Sequence, residues 1–190
     1  MGLYSTSINP SRLRNDLGPE IESVDMLQLQ KRMDAIPQEE VNKEMKRITA
    51  DWEYPLGKPD ENVIEKAIRM YMATVQLCRE KKFDSFSYKC VDGVDLEMGL
   101  THAVPSSLVA DAGYPYVDEN DLGNSVAQLM LAFSSGKPVT FLEHYEHHPE
   151  WILLGEDGYV PSAFIEGRPQ IKKISTVLLE GIAHCSNFRK

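Results

Sequence analysis

The stretch YPYVDENDLGNSVAQLMLAFSSGKPVTFLEHYEHHPEW, residues 114–151, decides how this chain folds. Residues 114–118 are extended in character. Asp118, Asn120 and Asp121 crowd the turn that follows, where short polar side chains cap a helix. Leu122, Val126, Leu129, Met130 and Phe133 then recur at helical spacing. Gly136 suits the left-handed position past a helix end, and Pro138 blocks continuation. Residues 139–142 form a short apolar run that reads as a strand. The unit is therefore strand–helix–strand, whose two strands run parallel.

The same alternation extends outward. Residues 2–6 read as a first strand, and Asn9-Pro10 opens a short helix. EIESV (20–24) alternates like a strand. Asp25 and Gln28 have the capping-box spacing ahead of Leu29 and Met33. Pro37 restarts a helix carrying Val41, Met45, Ile48 and Trp52. Asp60 caps the strongest helix, with Ile64, Ile68, Tyr71, Val75 and Cys78 on one face and Arg79, Lys81 and Lys82 at its end. FDSFSYK (83–89) alternates aromatic and polar residues as a strand does, and residues 106–112 read as a helix stopped by Gly113. Strands alternating with helices predict an α/β fold: an open, mainly parallel, Rossmann-like sheet with helices on both faces. After Trp151 the pattern turns to strands and turns. The expected division is 1–150 as the α/β domain and 151–190 as a β-rich tail.

Composition narrows the class. The 190 residues carry a net charge of −9 and no dense basic block, which argues against nucleic-acid and anionic-membrane partners. The three cysteines, Cys78, Cys90 and Cys185, form no CxxC pair, as suits reduced thiols in a cytoplasmic compartment. The N-terminus has no signal-peptide pattern. MGLYST formally fits a myristoylation pattern but reads better as a strand.

Two acids mark the junctions of the central unit. Glu119 follows the first strand and Glu143 follows the second. Parallel strands place both at the C-terminal sheet edge, where ligands of open α/β sheets bind. Close carboxylates repel, and a divalent cation between them removes the conflict; oxygen ligands suit Mg²⁺ or Mn²⁺. The plainer reading is that Glu119 complements a helix N-terminus and Glu143 is an ordinary loop acid. Lys89 and Cys90 end another strand and face the same edge, with Lys89 either touching substrate or simply solvated. His144, His147 and His148 read as loop residues beside a substrate, and His102 as a helix-start or loop residue. His184-Cys185 lacks partners at metal-ligand spacing. No Ser-His-Asp arrangement or phosphate loop stands out, and the first strand–helix turn lacks the glycines of a dinucleotide site.

DENDLGNSVAQLML and FLEHYEHHPEWILLG resemble the two metal-ligand segments of the L-fucose/L-arabinose isomerase superfamily. GLYSTSINPSRLRNDLGPEIESVDMLQL and FSYKCVDGVDLEMG look like that superfamily's middle domain. The resemblance implies metal-dependent aldose–ketose isomerisation through an enediol. Glu119 and Glu143 would be both metal ligands and the acid/base carboxylates, with Mn²⁺ or another divalent cation as cofactor. Lys89, His144 and His147 would lie at the sugar. Where the family places a histidine after ILLG, this chain reads GEDGYVP: either an acid replaces it, with Asp157 the candidate ligand, or the site is altered. On this resemblance the chain corresponds to the middle domain without the first domain and most of the last. Its site is then completed elsewhere, and apolar surface left uncovered favours a homo-oligomer. The alternative is a non-catalytic sugar-binding or assembly module that keeps the fold. An unrelated metal hydrolase would need a third, well-spaced ligand that the sequence does not supply.

Overall fold

The structure, a computed structural model, describes residues 6–155, 159–175 and 180–188. The elements are α1 (Pro10–Leu17), α2 (Met26–Ala35), α3 (Gln38–Thr49), α4 (Glu61–Lys81), a π-helix (Cys90–Glu97), α5 (Ala103–Asp111), α6 (Leu122–Ser135), β1 (Glu143–His147), β2 (Ile152–Gly155), a 3-10 turn (Ser162–Phe164), β3 (Ile165–Ser175) and β4 (Glu180–Phe188). No helix among these residues is long and apolar enough to cross a membrane.

The helices start where capping chemistry dictates. Asn9 accepts from the backbone N–H groups of Ser11 and Arg12, Asp25 from Leu27, Asp60 from Asn62 and Asp121 from Asn124. Each bond satisfies a donor that the first helical turn leaves without a partner. Gly136 ends α6 in the left-handed conformation, φ 63°, as expected from the sequence. α4 is the central element. Ile64, Ala67, Ile68, Met70, Ala73 and Leu77 are buried along it, and it packs against α2, α3 and α5. Arg69 of α4 reaches the end of α2. Its Nη1 donates to the carbonyls of Met33 at 3.1 Å and Ile36 at 2.9 Å, while Nε pairs with Glu65 at 2.8 Å.

Helices and strands are mixed as expected, but the open parallel sheet is not what the described residues form. They form two antiparallel ladders, β1–β2 and β3–β4, and parallel neighbours occur only as isolated bridges, Glu53–Gln170 and Phe86–Tyr116. The reason at the second bridge is local. Segments 83–89 and 114–118 do run side by side in parallel, and the Phe86 N–H donates to the Pro115 carbonyl at 3.2 Å. Proline returns no N–H to the ladder. The hydroxyls of Ser85 and Ser87 donate to the carbonyls of Pro115 and Val117, taking bonds that a third strand's backbone or a longer ladder would use. Residues 20–24 and 139–142, expected as strands, are irregular, and residues 2–5 lie outside the described residues.

Aromatic packing fixes the paired segments against the helices. Tyr88 lies 4.9 Å from Phe86 and 5.3 Å from Tyr116 between ring centroids, and Tyr116 meets Tyr159 edge-on at 4.9 Å. The buried Tyr88 hydroxyl shares a 2.6 Å hydrogen bond with Thr74 of α4, and the Tyr159 hydroxyl donates to the Tyr116 carbonyl at 3.0 Å. These rings, with Val94, Leu100, Val104 and Ile171, join the same core as α2, α3 and α4.

Candidate functional site

The two parallel segments end together. The Asn120 N–H donates to the Tyr88 carbonyl at 3.3 Å, so residues 88–90 and 118–120 meet at one edge. Lys89 and Glu119 therefore lie at neighbouring ends of the two extended segments, and each is half-buried. The turn is unusual. Glu119 has φ 61° and Asn120 φ 55°, two consecutive residues other than glycine in the left-handed region. Asparagine tolerates that conformation, whereas glutamate is strained in it. The Glu119 carbonyl accepts from the Thr6 hydroxyl at 3.1 Å, and the Asp121 side chain takes up the N–H of Asn124.

Directly beneath this edge, Cys90, His102 and Asp118 gather, each offering a ligand atom within 4.8 Å of the others. All three are buried. Cys90 opens the π-helix, His102 occupies the N-cap position of α5, and Asp118 ends the second extended segment. His102 Nε2 stands 3.1 Å from Asp118 Oδ2, and its Nδ1 faces Asp95 Oδ1 at 3.9 Å. In the π-helix Val94 donates to Lys89 and Met98 to Gly93, each bond spanning five residues, and Gly93 packs against Lys89 and Met26. Such wide turns recur at functional sites. Lys66 donates to the Met98 carbonyl and closes the far end.

Burial, reinforced by Asp118 and Cys90, holds the Tyr116 hydroxyl well above its ordinary pKa. Tyr116 faces Asp118 and Ser106, and its hydroxyl and Asp118 Oδ1 are both buried. Thiol, imidazole and carboxylate together are a donor set that can hold a metal ion. The thiol is a poor candidate for nucleophilic catalysis, because Cys90 is only 3% exposed. Cys78, elsewhere in the core, is an inert thiol whose pKa burial pushes up to about 12.

The other residues singled out in the sequence have different settings. Glu143 does not follow a strand but begins one: residues 139–142 are irregular, and β1 runs from Glu143 itself. Glu143, His144 and His147 are all exposed on the β1–β2 hairpin, with the His144 and His147 rings 5.5 Å apart. The two carboxylates expected as a pair are thus one half-buried in a turn and one exposed on a strand. His148 stacks on Trp151 at 3.8 Å. Asp157 lies outside the described residues. A cavity of about 490 Å³ opens at the opposite end of the paired segments, between Phe83, Tyr114, Phe133 and Val139, away from every group just described.

Cys90, His102 and Asp118 were not legible as a group. The one available signal was adjacency: Cys90 follows Lys89 and Asp118 precedes Glu119, so whatever brings the outer pair together brings the inner pair too. Comparison of the chain with protein-family models and with curated protein sequences gave no match.

Proposed function

We propose that the chain is a sugar-isomerase domain of the L-fucose/L-arabinose isomerase type, working in a reducing, cytoplasmic compartment on a small sugar. The observation that carries this reading is the turn at Glu119. A glutamate kept in a left-handed conformation that glycine fits better, at the shared C-terminal edge of two parallel segments, is the kind of local strain that persists where a side chain is needed. Lys89 at the same edge supplies a cation that suits a sugar hydroxyl or a developing oxyanion.

In the proposed reaction a carboxylate takes the proton from the carbon beside the sugar carbonyl and returns it to the neighbouring carbon. Glu119 and Glu143 fill that role and, with Asp157, offer oxygen donors. Their chemistry fits a hard divalent ion such as Mn²⁺, which when bound polarises adjacent sugar oxygens. His144 and His147 are the sugar-contacting side chains on the hairpin. Carboxylates alone supply few of the six ligands such an ion prefers, so the remainder come from water, sugar or a neighbouring subunit.

An assembly role for the hairpin is favoured by a separate observation. Trp151, Ile152, Leu153 and Leu154 are each more than 40% exposed in succession. Successive strand residues alternate faces, so both faces of the hairpin carry exposed apolar side chains; such surface marks an interaction site, and we take it as the contact of a homo-oligomer. The alternative function, a non-catalytic sugar-binding or assembly module, uses this surface and not the carboxylates.

Calorimetric titration with Mn²⁺ separates the two. Glu119→Gln and Glu143→Gln each weaken binding under the isomerase reading, and the double variant abolishes it. Equal Mn²⁺ affinity in the parent and the double variant would overturn the isomerase reading.

A further inference from the structure

We propose that Cys90, His102 and Asp118 form a second, buried metal site that takes Zn²⁺, with a water in the fourth position, and not the hard ion assigned to the carboxylates. The donor set decides the metal. Thiolate and imidazole are soft to borderline ligands that select zinc over manganese or magnesium. In a tetrahedral zinc site with these ligands the donor atoms stand about 3.3–3.6 Å apart, from the usual metal–ligand distances. The three donors here lie within 4.8 Å, with the His102–Asp118 pair at 3.1 Å, so closure needs shifts of up to about 1.5 Å.

The surroundings match a zinc site as well as the ligands do. A ligating histidine commonly gives its other ring nitrogen to a carboxylate, which fixes its orientation. With Nε2 turned toward Asp118, Nδ1 of His102 faces Asp95 Oδ1 at 3.9 Å, longer than a hydrogen bond, so the pair must draw in by about 1 Å to play that part. Asp118 Oδ1 is buried, and the Tyr116 hydroxyl stands beside Asp118 and Cys90. Asp118 and His102 are each 9% exposed and Cys90 3%, so an ion held there is shielded from solvent. The site would tie three pieces of chain together: the start of the π-helix, the start of α5 and the end of segment 114–118. It would do so one residue below Glu119, holding the strained turn in place.

The site is tested with the whole chain, stripped of metal and reloaded with Zn²⁺ or with Co²⁺ as a spectroscopic substitute. The expected result is one ion per chain by elemental analysis, a thiolate-to-cobalt charge-transfer band in the near ultraviolet, and visible bands of tetrahedral intensity. Zn²⁺ should raise the melting temperature where Mn²⁺ does not. Cys90→Ser removes the charge-transfer band, which separates Cys90 from Cys185 and Cys78 as its source. Asp95→Asn leaves all three ligands in place and lowers Zn²⁺ affinity by about 10–100-fold, a readout that survives if the serine variant fails to fold. Glu119→Gln/Glu143→Gln retains the band. Absence of stoichiometric binding, a band without thiolate character, a band unchanged in Cys90→Ser, or unchanged affinity in Asp95→Asn would each overturn the proposal. Loss of Mn²⁺ binding with the cobalt band intact would touch only the isomerase carboxylates, and the reverse only this site.

Discussion

Replacing Glu119 with glycine should make the protein more stable while removing its proposed activity. The left-handed conformation costs a residue with a side chain about 1–2 kcal/mol. Glu119 holds it at φ 61°. Glycine is free of that cost but gives back roughly 0.4–1 kcal/mol through the greater freedom of the unfolded chain. The Thr6 hydroxyl bonds the Glu119 carbonyl, a backbone acceptor that survives the change. From the backbone alone the expectation is a gain of about 0.5–1 kcal/mol, the difference between those two effects, less whatever the glutamate side chain's own contacts contribute. For a chain of this size that is a rise in melting temperature of about 1–4 °C. Glu119→Gln keeps the strain and the shape, so its stability should stay within about 0.5 kcal/mol of the parent. The assay is urea unfolding of the three proteins at neutral pH, read alongside Mn²⁺ titration. Both variants should lose Mn²⁺ affinity, and only the glycine variant should gain stability. If Glu119→Gly is instead less stable than Glu119→Gln by more than about 1 kcal/mol, the glutamate side chain is holding the fold together. The strain is then no sign of function.

Two further outcomes follow from packing. Arg69→Ala strips the donor from the carbonyls of Met33 and Ile36 at the end of α2, and losing two charge-assisted bonds in a half-buried setting should cost roughly 2–4 kcal/mol in urea unfolding; a cost under about 0.5 kcal/mol would mean water replaces the guanidinium there. Gly155→Ala would set a Cβ 2.3 Å from the Tyr145 ring, so the ring must leave its place across β2. Amide exchange in β1 and β2 should quicken while global stability changes by less than about 1 kcal/mol, since the hairpin is exposed; unchanged exchange would show that the hairpin does not depend on this contact.

The helices were legible because their signals are local. Asn9, Asp25, Asp60 and Asp121 each cap within three residues of their own position, and Gly136 ends α6 by its own backbone preference. The sheet was not, because a strand needs a partner. Residues 83–89 and 114–118 have the right alternation and do lie side by side, yet Pro115 and the serine hydroxyls stop the ladder at one bridge. Residues 139–142 have the apolar run of a strand without one, and the actual strand takes the polar sequence EHYEH instead, paired with ILLG. Glu119 and Lys89 were legible as edge residues from strand direction alone. The Cys90–His102–Asp118 group was not, since no metal-motif spacing links the three. Their proximity is created by the pairing of the two extended segments and by the start of α5.

That dependence makes the register of the pairing the property on which the candidate site rests. Two constraints hold it. Ser85 and Ser87 lie two residues apart and both find carbonyls two residues apart on the partner, Pro115 and Val117. Between and beyond them, Phe86 and Tyr88 point into the aromatic core, where Tyr88 is bonded to Thr74. A slip by one residue would turn every side chain to the other face, putting the serines into the core and the tyrosine hydroxyl out of reach of Thr74. A slip by two keeps the faces but moves Cys90 by roughly 6–7 Å along its partner, at about 3.3 Å per residue, well outside ligating distance of Asp118. The hydroxyl pair and the buried tyrosine therefore do more than fill space. They select the one register in which thiol, imidazole and carboxylate meet beneath Glu119, and Thr74→Val, which leaves the Tyr88 hydroxyl buried without its partner, should loosen that register and weaken Zn²⁺ binding without touching a ligand.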